Sequence, residues 1–364
     1  MKIIKPTLIV NKDRVMKNIL AMKQKVENSP GQIRFRPHFK THQSAQIGQW
    51  FRDSGITSIA VSSVDMASYF AQNGWEDITI AVLVNPLEIE VINQLAKTFF
   101  LDLNLLVDSR EIVTLLNNEL KHPVKLWIKI DTGYHRTGVT WDQKDDILGI
   151  VNAIKRSPRL HFRGLLTHAG HSYKAASSKE IKGIYDDTVS KMNEVREYLE
   201  KKGFSNIEIS IGDTPTCSIV NKFYGIDEVR CGNFVFYDVM QFFLGTCQEE
   251  NIAAAVACPV MARYPQRNEI VIYGGAVHLS KDSITGKNNQ KIFGLVTLPQ
   301  NDNQEWGPII KDTYVSRLTQ EHGIIKTDSE FIKQINIGDI LMILPVHSCL
   351  AANLLKIAPG GQNP

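Results

Sequence analysis

A parallel TIM (β/α)8 barrel followed by a smaller β-rich C-terminal domain is the α/β fold this sequence predicts, and three observations predict it. Eight short apolar runs alternate with segments of helical periodicity through the N-terminal part of the chain. Lys40, Asp131, His168, Gly212 and Tyr237 fall just beyond the C-terminal ends of those runs, where a barrel gathers its site residues. From about residue 248 the texture changes to strand-like runs joined by Gly-, Asn- and Pro-rich connections. A doubly wound open sheet permits the same alternation, but the placement of the polar residues favours the barrel.

The eight candidate strands are 33–37, 56–61, 78–82, 103–107, 124–130, 162–166, 207–211 and 228–235. Helical periodicity fills the intervals, for example at 64–73, 109–120, 143–155 and 179–202. Later strand-like runs lie at 253–261, 269–273, 312–318 and 340–345, and the extended stretch 2–10 can join them. The expected division is a barrel over 12–246 and a β-domain over 1–11 plus 247–364.

Composition narrows the partners. A chain of 364 residues exceeds what one core usually supports, so a large domain of about 250 residues with a smaller companion is expected. Hydrophobic residues make up 43%, ample for packed cores. Forty-one basic residues against 38 acidic leave a net charge of +3, without the basic, aromatic-interleaved blocks that nucleic acid demands. A small-molecule partner is expected. The five cysteines are odd in number and show no Cys-x-x-Cys spacing, which argues for a reducing compartment. The apolar run within residues 1–10 is too short for a signal peptide core or a membrane span, so a cytoplasmic protein without a membrane partner is expected.

The run 33–40 alternates Ile33, Phe35, Pro37 and Phe39 with Arg34, Arg36, His38 and Lys40. On a half-exposed strand Lys40 would be a solvated amine. On a barrel strand the apolar side would pack on outer helices and the basic side would point into the barrel mouth. An amine there, out of bulk water and beside Arg36 and His38, would have a lowered pKa and could form a Schiff base with a carbonyl substrate or with pyridoxal phosphate.

Three loops could complete such a site. Gly212-Asp213-Thr214-Pro215-Thr216 follows the seventh run with glycine, then proline at a helix start, a pattern suited to phosphate; a simple strand end is the alternative. Gly232-Asn233 after the eighth run strengthens the phosphate reading. Asp131 to Gly138 is a glycine-punctuated loop carrying Arg136. His168-Ala169-Gly170-His171-Ser172-Tyr173 offers acid-base groups or ring contacts, or a satisfied loop. Near the end, His347 and Cys349 stand two apart after an apolar strand, where alternation lets both face one zinc ion; a packing accident is the alternative.

Taken in order, Arg36-Pro37-His38-Phe39-Lys40-Thr41-His42, Asp131-Thr132-Gly133, Arg136-Thr137-Gly138, His168 to Tyr173, Gly212 to Thr216 and His347-Ser348-Cys349 resemble the metal-activated D-serine dehydratase and D-threonine aldolase family of alanine-racemase-like enzymes. The resemblance spans nearly the whole chain. It implies pyridoxal phosphate held by Lys40 as Schiff-base lysine, with Arg136 on its phenolic oxygen and Tyr173 flanking it. Lys40 and Tyr173 are then the candidate catalytic residues. His38, His168, Gly212, Thr214, Thr216, Gly232, Asn233 and Tyr237 are the remaining candidate cofactor contacts. His347 and Cys349 are the implied ligands of a divalent metal, zinc or manganese. In the aldolases the second ligand is typically aspartate, so Cys349 favours dehydration of a D-β-hydroxy amino acid over retro-aldol cleavage. A racemase or a non-catalytic cofactor carrier fits the β-rich segment or the His347–Cys349 pair less well. The resemblance also implies a homodimer.

Overall fold

The computed structural model describes residues 2–356, so residues 1 and 357–364 of the expected β-domain lie outside the described residues. The described chain packs as two compact units, one formed by 20–232 and the other by 2–19 with 233–356.

The first unit is a barrel of eight parallel strands: β1 (Arg34–Phe35), β2 (Ser58–Val61), β3 (Asp77–Leu83), β4 (Asp102–Val107), β5 (Val124–Asp131), β6 (Leu160–Leu166), β7 (Glu208–Ile211) and β8 (Glu228–Val229). Each strand pairs with its sequence neighbour from β2 to β8, and β8 pairs with β1. A parallel bridge between His38 and Ala60 joins the chain after β1 to β2 and closes the ring. Buried aliphatic residues such as Ile59, Ile78, Leu105, Ile128, Leu165 and Ile209 line every strand from β2 to β7, as expected of a parallel sheet covered by helices.

Serine caps several of the outer helices. Ser63, Ser109 and Ser177 each accept a backbone N–H three residues on, capping Val64–Gln72, Arg110–Glu119 and Ser178–Lys201. The helix Ala45–Asp53, capped by Ser44, and the helix Ile89–Thr98 complete intervals the periodicity left unassigned.

The apolar face of the run 33–40 follows the barrel reading, whereas the two arginines do not reach the mouth. Phe39 is fully buried, its ring 5.0 Å from Phe51, 4.9 Å from Phe70 and 5.0 Å from Trp75. Arg34 and Arg36 turn the other way, into a cluster with Glu208, Glu228 and Asp77. The first and eighth strands are shorter than the predicted 33–37 and 228–235. Pro37 has no N–H to continue a ladder, although Arg36 still donates to Val229 O at 2.9 Å and His38 to Cys231 O at 3.0 Å. Beyond Val229 the chain leaves the sheet, and Asn233–Val235 is a 3-10 turn.

The second unit is an antiparallel sheet of seven strands. Thr7–Val10 pairs with the first residues of Ala254–Tyr264, so the N-terminal stretch joins this sheet. Ala254–Tyr264 also pairs with Glu269–Tyr273 and with Ile340–Pro345. Gly294–Thr297 and His322–Lys326, short strands absent from the sequence prediction, complete the order with Tyr314–Leu318. Val256, Cys258, Ile272, Val296, Ile325 and Ile343 fill its core. Among the described residues no helix is long and apolar enough to cross a membrane.

Candidate functional site

At the C-terminal ends of the barrel strands the sequence-selected loops converge. Lys40 follows the closing bridge, and its backbone N–H donates to Nδ1 of His38 at 3.3 Å. That nitrogen therefore accepts, and the neutral His38 ring carries its proton on Nε2. Burial pushes the His38 pKa well below its ordinary value, and the positive charges of Lys40 and Arg230 add to the effect. His168, after β6, holds the opposite tautomer: its Nδ1 donates to the Gly212 carbonyl at 2.9 Å. Burial also drives its pKa well down, despite that hydrogen bond, with Lys40, Lys129 and Arg136 contributing. Two neutral imidazoles thus stand at the mouth.

The expected cation cluster around Lys40 needs correction. Lys40 is exposed rather than withdrawn from water. Arg36 does not stand beside it as a free cation, because its guanidinium is buried on Glu228 at 2.7 Å and on both oxygens of Asp77 at 2.7 and 2.8 Å. The strand alternation that places Arg36 inside also turns it toward the partners that neutralise it.

The β7 loop is a cap as well as a cradle. Asp213 accepts the Thr216 N–H on Oδ1 at 3.0 Å and the Thr216 hydroxyl on Oδ2 at 2.8 Å, and Ser172 donates to Oδ1 as well at 2.6 Å. Burial raises the Asp213 pKa against these bonds. The Thr214 N–H donates to the Tyr173 hydroxyl at 3.3 Å, which ties the β6 loop to the β7 loop. Gly212 and Gly232 admit no side chain: a Cβ at the first would sit 2.6 Å from the Arg230 backbone, and at the second 2.7 Å from the His38 carbonyl. The Thr214 hydroxyl is buried without a hydrogen-bond partner, as is Nδ1 of His171. Buried polar atoms of this kind fit a bound polar group such as a phosphate.

Asp131 organises the loop bearing Arg136. Its carboxylate accepts the N–H groups of Gly133, Tyr134 and His135 at 2.9 to 3.1 Å. These bonds hold its pKa below the ordinary value although burial opposes them. Arg136 itself is exposed and stacks over the Tyr134 ring at 5.3 Å.

Asn233, Tyr237, His347 and Cys349 belong to the second unit. The strand Ile340–Pro345 ends before His347, so alternation along a strand is not what pairs His347 with Cys349. His347 occupies the N-cap position of the helix Ser348–Leu355, without a side-chain capping bond, and Cys349 lies in its first turn, so the strand-to-helix turn sets the two residues beside each other. Burial lowers the His347 pKa, but Cys349, Asp238 and Asp282 together raise it to about 9. A basic imidazole beside a thiol suits a divalent cation, which would bind both in their deprotonated forms. Among the described residues no cluster of three or more His, Cys, Asp or Glu side chains forms a metal site. Asn233 donates through Nδ2 to Asp238 at 2.6 Å, to Ser348 Oγ at 3.0 Å and to Cys349 Sγ at 3.5 Å. Tyr237 is buried in the left-handed region at φ 47°, its N–H donating to Asn233 O at 2.7 Å.

Two mouth residues escaped the sequence analysis. Lys129 is buried within β5, and burial together with Arg230 and Arg136 lowers its pKa to about 7. Arg230 is buried after β8, donating to Ser210 Oγ and to Thr167 O, each at 2.6 Å. Period two would have found both, since Lys129 shares a strand face with Asp131 and Arg230 follows Glu228 by two.

The model of the alanine racemase N-terminal domain matches residues 10–239, and that of the putative serine dehydratase domain matches 253–359. The D-threo-3-hydroxyaspartate dehydratase of Delftia sp. (strain HT23) is 28% identical over 94% of this chain and 90% of its own. Its solved structure superposes with a TM-score of 0.89 at 27% identity, covering 97% of this chain and 93% of that one. A cysteine-to-alanine mutant of that enzyme has been solved in a metal-free form. The D-serine dehydratase of Dictyostelium discoideum is 28% identical over 96% of this chain and 91% of its own. The D-threonine aldolase of Filomicrobium marinum shares the fold, with a TM-score of 0.80 at 18% identity over 96% of this chain and 89% of that one. The chain belongs to the alanine racemase N-terminal domain family, with a serine dehydratase domain following the barrel.

Proposed function

We propose that this chain is a pyridoxal phosphate- and divalent-metal-dependent lyase that removes water from a D-β-hydroxy amino acid such as D-serine, giving a 2-keto acid and ammonia. The observation that most supports this reading is the placement of His347 and Cys349 together at one helix start, in a chain whose relatives along their length are named as dehydratases. When bound, the cofactor supplies an electron sink at the substrate α-carbon and the cation a Lewis acid for the β-hydroxyl.

The chain's own groups divide the remaining work. Lys40 would hold the cofactor through its amine, and the same amine in its free form would be the base for the α-proton. Gly212, Thr214, Thr216 and Gly232 would hold the phosphate, with Arg136 and Tyr173 as the other residues that would hold the cofactor. His38 and His168, both neutral, offer hydrogen bonds without adding positive charge beside Lys40. His347 and Cys349 hold the cation; a thiolate ligand suits zinc. The net reaction breaks the Cα–H and Cβ–O bonds, and the released enamine hydrolyses in water. We place the reaction in a homodimer, for which a strictly monomeric mass with full activity would be the contrary result.

The test is a substrate panel of D-serine, D-threonine and D-threo-3-hydroxyaspartate with 2-keto acid and aldehyde followed separately. Keto acid should dominate, disappear after chelation and return with zinc or manganese. Glycine and acetaldehyde as the main products from D-threonine would instead establish an aldolase. Undiminished elimination in fully metal-free protein would remove the metal from the reaction.

A further inference from the structure

Asp282 reaches one of the candidate metal ligands directly. Its Oδ2 lies 2.7 Å from Nδ1 of His347. The chain is turned toward His347 just after the short helix Ala276–Leu279, where Ser280 adopts φ 68° and donates its N–H back to Ala276 O at 3.0 Å. A positive φ is uncommon for serine. The Ser280 hydroxyl then accepts the Asp282 N–H at 3.2 Å, so the carboxylate approaches from an ordered turn. His347 and Asp282 keep 33% and 42% of their side-chain surface, so this contact is not forced by core packing.

Cys349 is held separately. Asp238 accepts the Ser348 N–H at 3.0 Å and the Asn233 amide at 2.6 Å, and that same amide reaches Cys349 Sγ. Each half of the pair therefore has its own partner. Only Asp282 engages the His347 ring through a carboxylate at hydrogen-bond distance among the contacts of the described residues.

We propose that Asp282 is a positioning residue for the divalent cation held by His347 and Cys349, accepting the Nδ1–H of His347 and leaving Nε2 to bind the ion. The inference rests on the metal-binding reading above. A carboxylate on the far nitrogen fixes the tautomer, restrains ring rotation and makes the ligating nitrogen more basic. The other acid near the pair, Asp238, could not substitute, since it is buried and already occupied by Asn233, Gln241 and Ser348.

The test is competition for zinc between a chromophoric chelator and the chelator-stripped full chain, as wild type and as Asp282→Ala, Asp282→Asn, Asp282→Glu and His347→Ala. Zinc affinity should fall about 10- to 100-fold in Asp282→Ala. Asp282→Asn should fall less, because its amide oxygen can still accept, and Asp282→Glu should recover part of the loss. Thermal unfolding of the stripped proteins should coincide, which separates positioning from general damage to the fold. Wild-type affinity in Asp282→Ala, with affinity lost in His347→Ala, overturns this inference and leaves the metal reading intact. A wild type that takes up neither zinc nor manganese overturns both.

Discussion

Nε of Arg36 donates to Oε2 of Glu228 at 2.7 Å inside the barrel, where neither side chain has any solvent exposure. Breaking a buried pair leaves one charge without compensation and costs about 3 to 5 kcal/mol. Glu228→Gln is therefore expected to lose stability on that scale in urea unfolding at pH 7. Arg36, with Arg163 and Ser210 behind it, overcomes the burial penalty and holds the Glu228 pKa down at about 2. A depressed carboxylate stabilises the fold above its unfolded pKa near 4.5 and loses that contribution as pH falls toward 2. The wild type should shed roughly 3 kcal/mol over that window through this group. Glu228→Gln should show a correspondingly flatter acid limb, and an unchanged limb would show that the pair does not govern it.

Lys129 works in the opposite sense. Its folded pKa of about 7 lies below the ordinary 10.5, so the unfolded chain takes up a proton that the folded chain refuses as pH falls from about 10.5 to 7. The resulting destabilisation is complete below pH 7. Lys129→Met should raise stability, and by roughly 2 to 3 kcal/mol more at pH 6 than at pH 9. Denaturant unfolding at the two pH values checks both the sign and the difference.

His38 and His168 should stay neutral from pH 6 to 8, with the proton on Nε2 in His38 and on Nδ1 in His168. Long-range nitrogen–proton NMR of labelled protein distinguishes the two tautomers. Because both pKa values lie well below 6.5, the unfolded state binds more protons as pH drops through that value, and stability falls there. An imidazolium signal from either ring at pH 7 would contradict the geometry of the mouth.

Lys40→Ala should lower kcat by at least about a thousandfold, since both covalent attachment and proton removal are assigned to one amine. Borohydride treatment of the wild type followed by peptide mapping should place the reduced cofactor on Lys40. A label on Lys129, the other lysine at the mouth, would transfer the covalent role to that residue.

Much of this protein was legible along the chain because it depends on local pattern. Period-two alternation put Arg34 and Arg36 on the face opposite Phe39, which packs on the outer helices, and strand ends marked Lys40, His168 and Gly212 as mouth residues. Tertiary structure alone decided what those groups meet. Glu228 lies 192 residues from Arg36, and its carboxylate turns an expected neighbouring cation into half of an internal ion pair. Gln43 and Tyr237 adopt left-handed backbone that no short-range signal marks for such side chains. The spacing of His347 and Cys349 was visible, but a helix start, not strand alternation, brings them together, and Asp282 reaches His347 across 65 residues. Periodicity reports which face a residue occupies; Coulomb energy and hydrogen bonding depend on distances of a few ångströms between segments far apart in the chain, which only packing fixes.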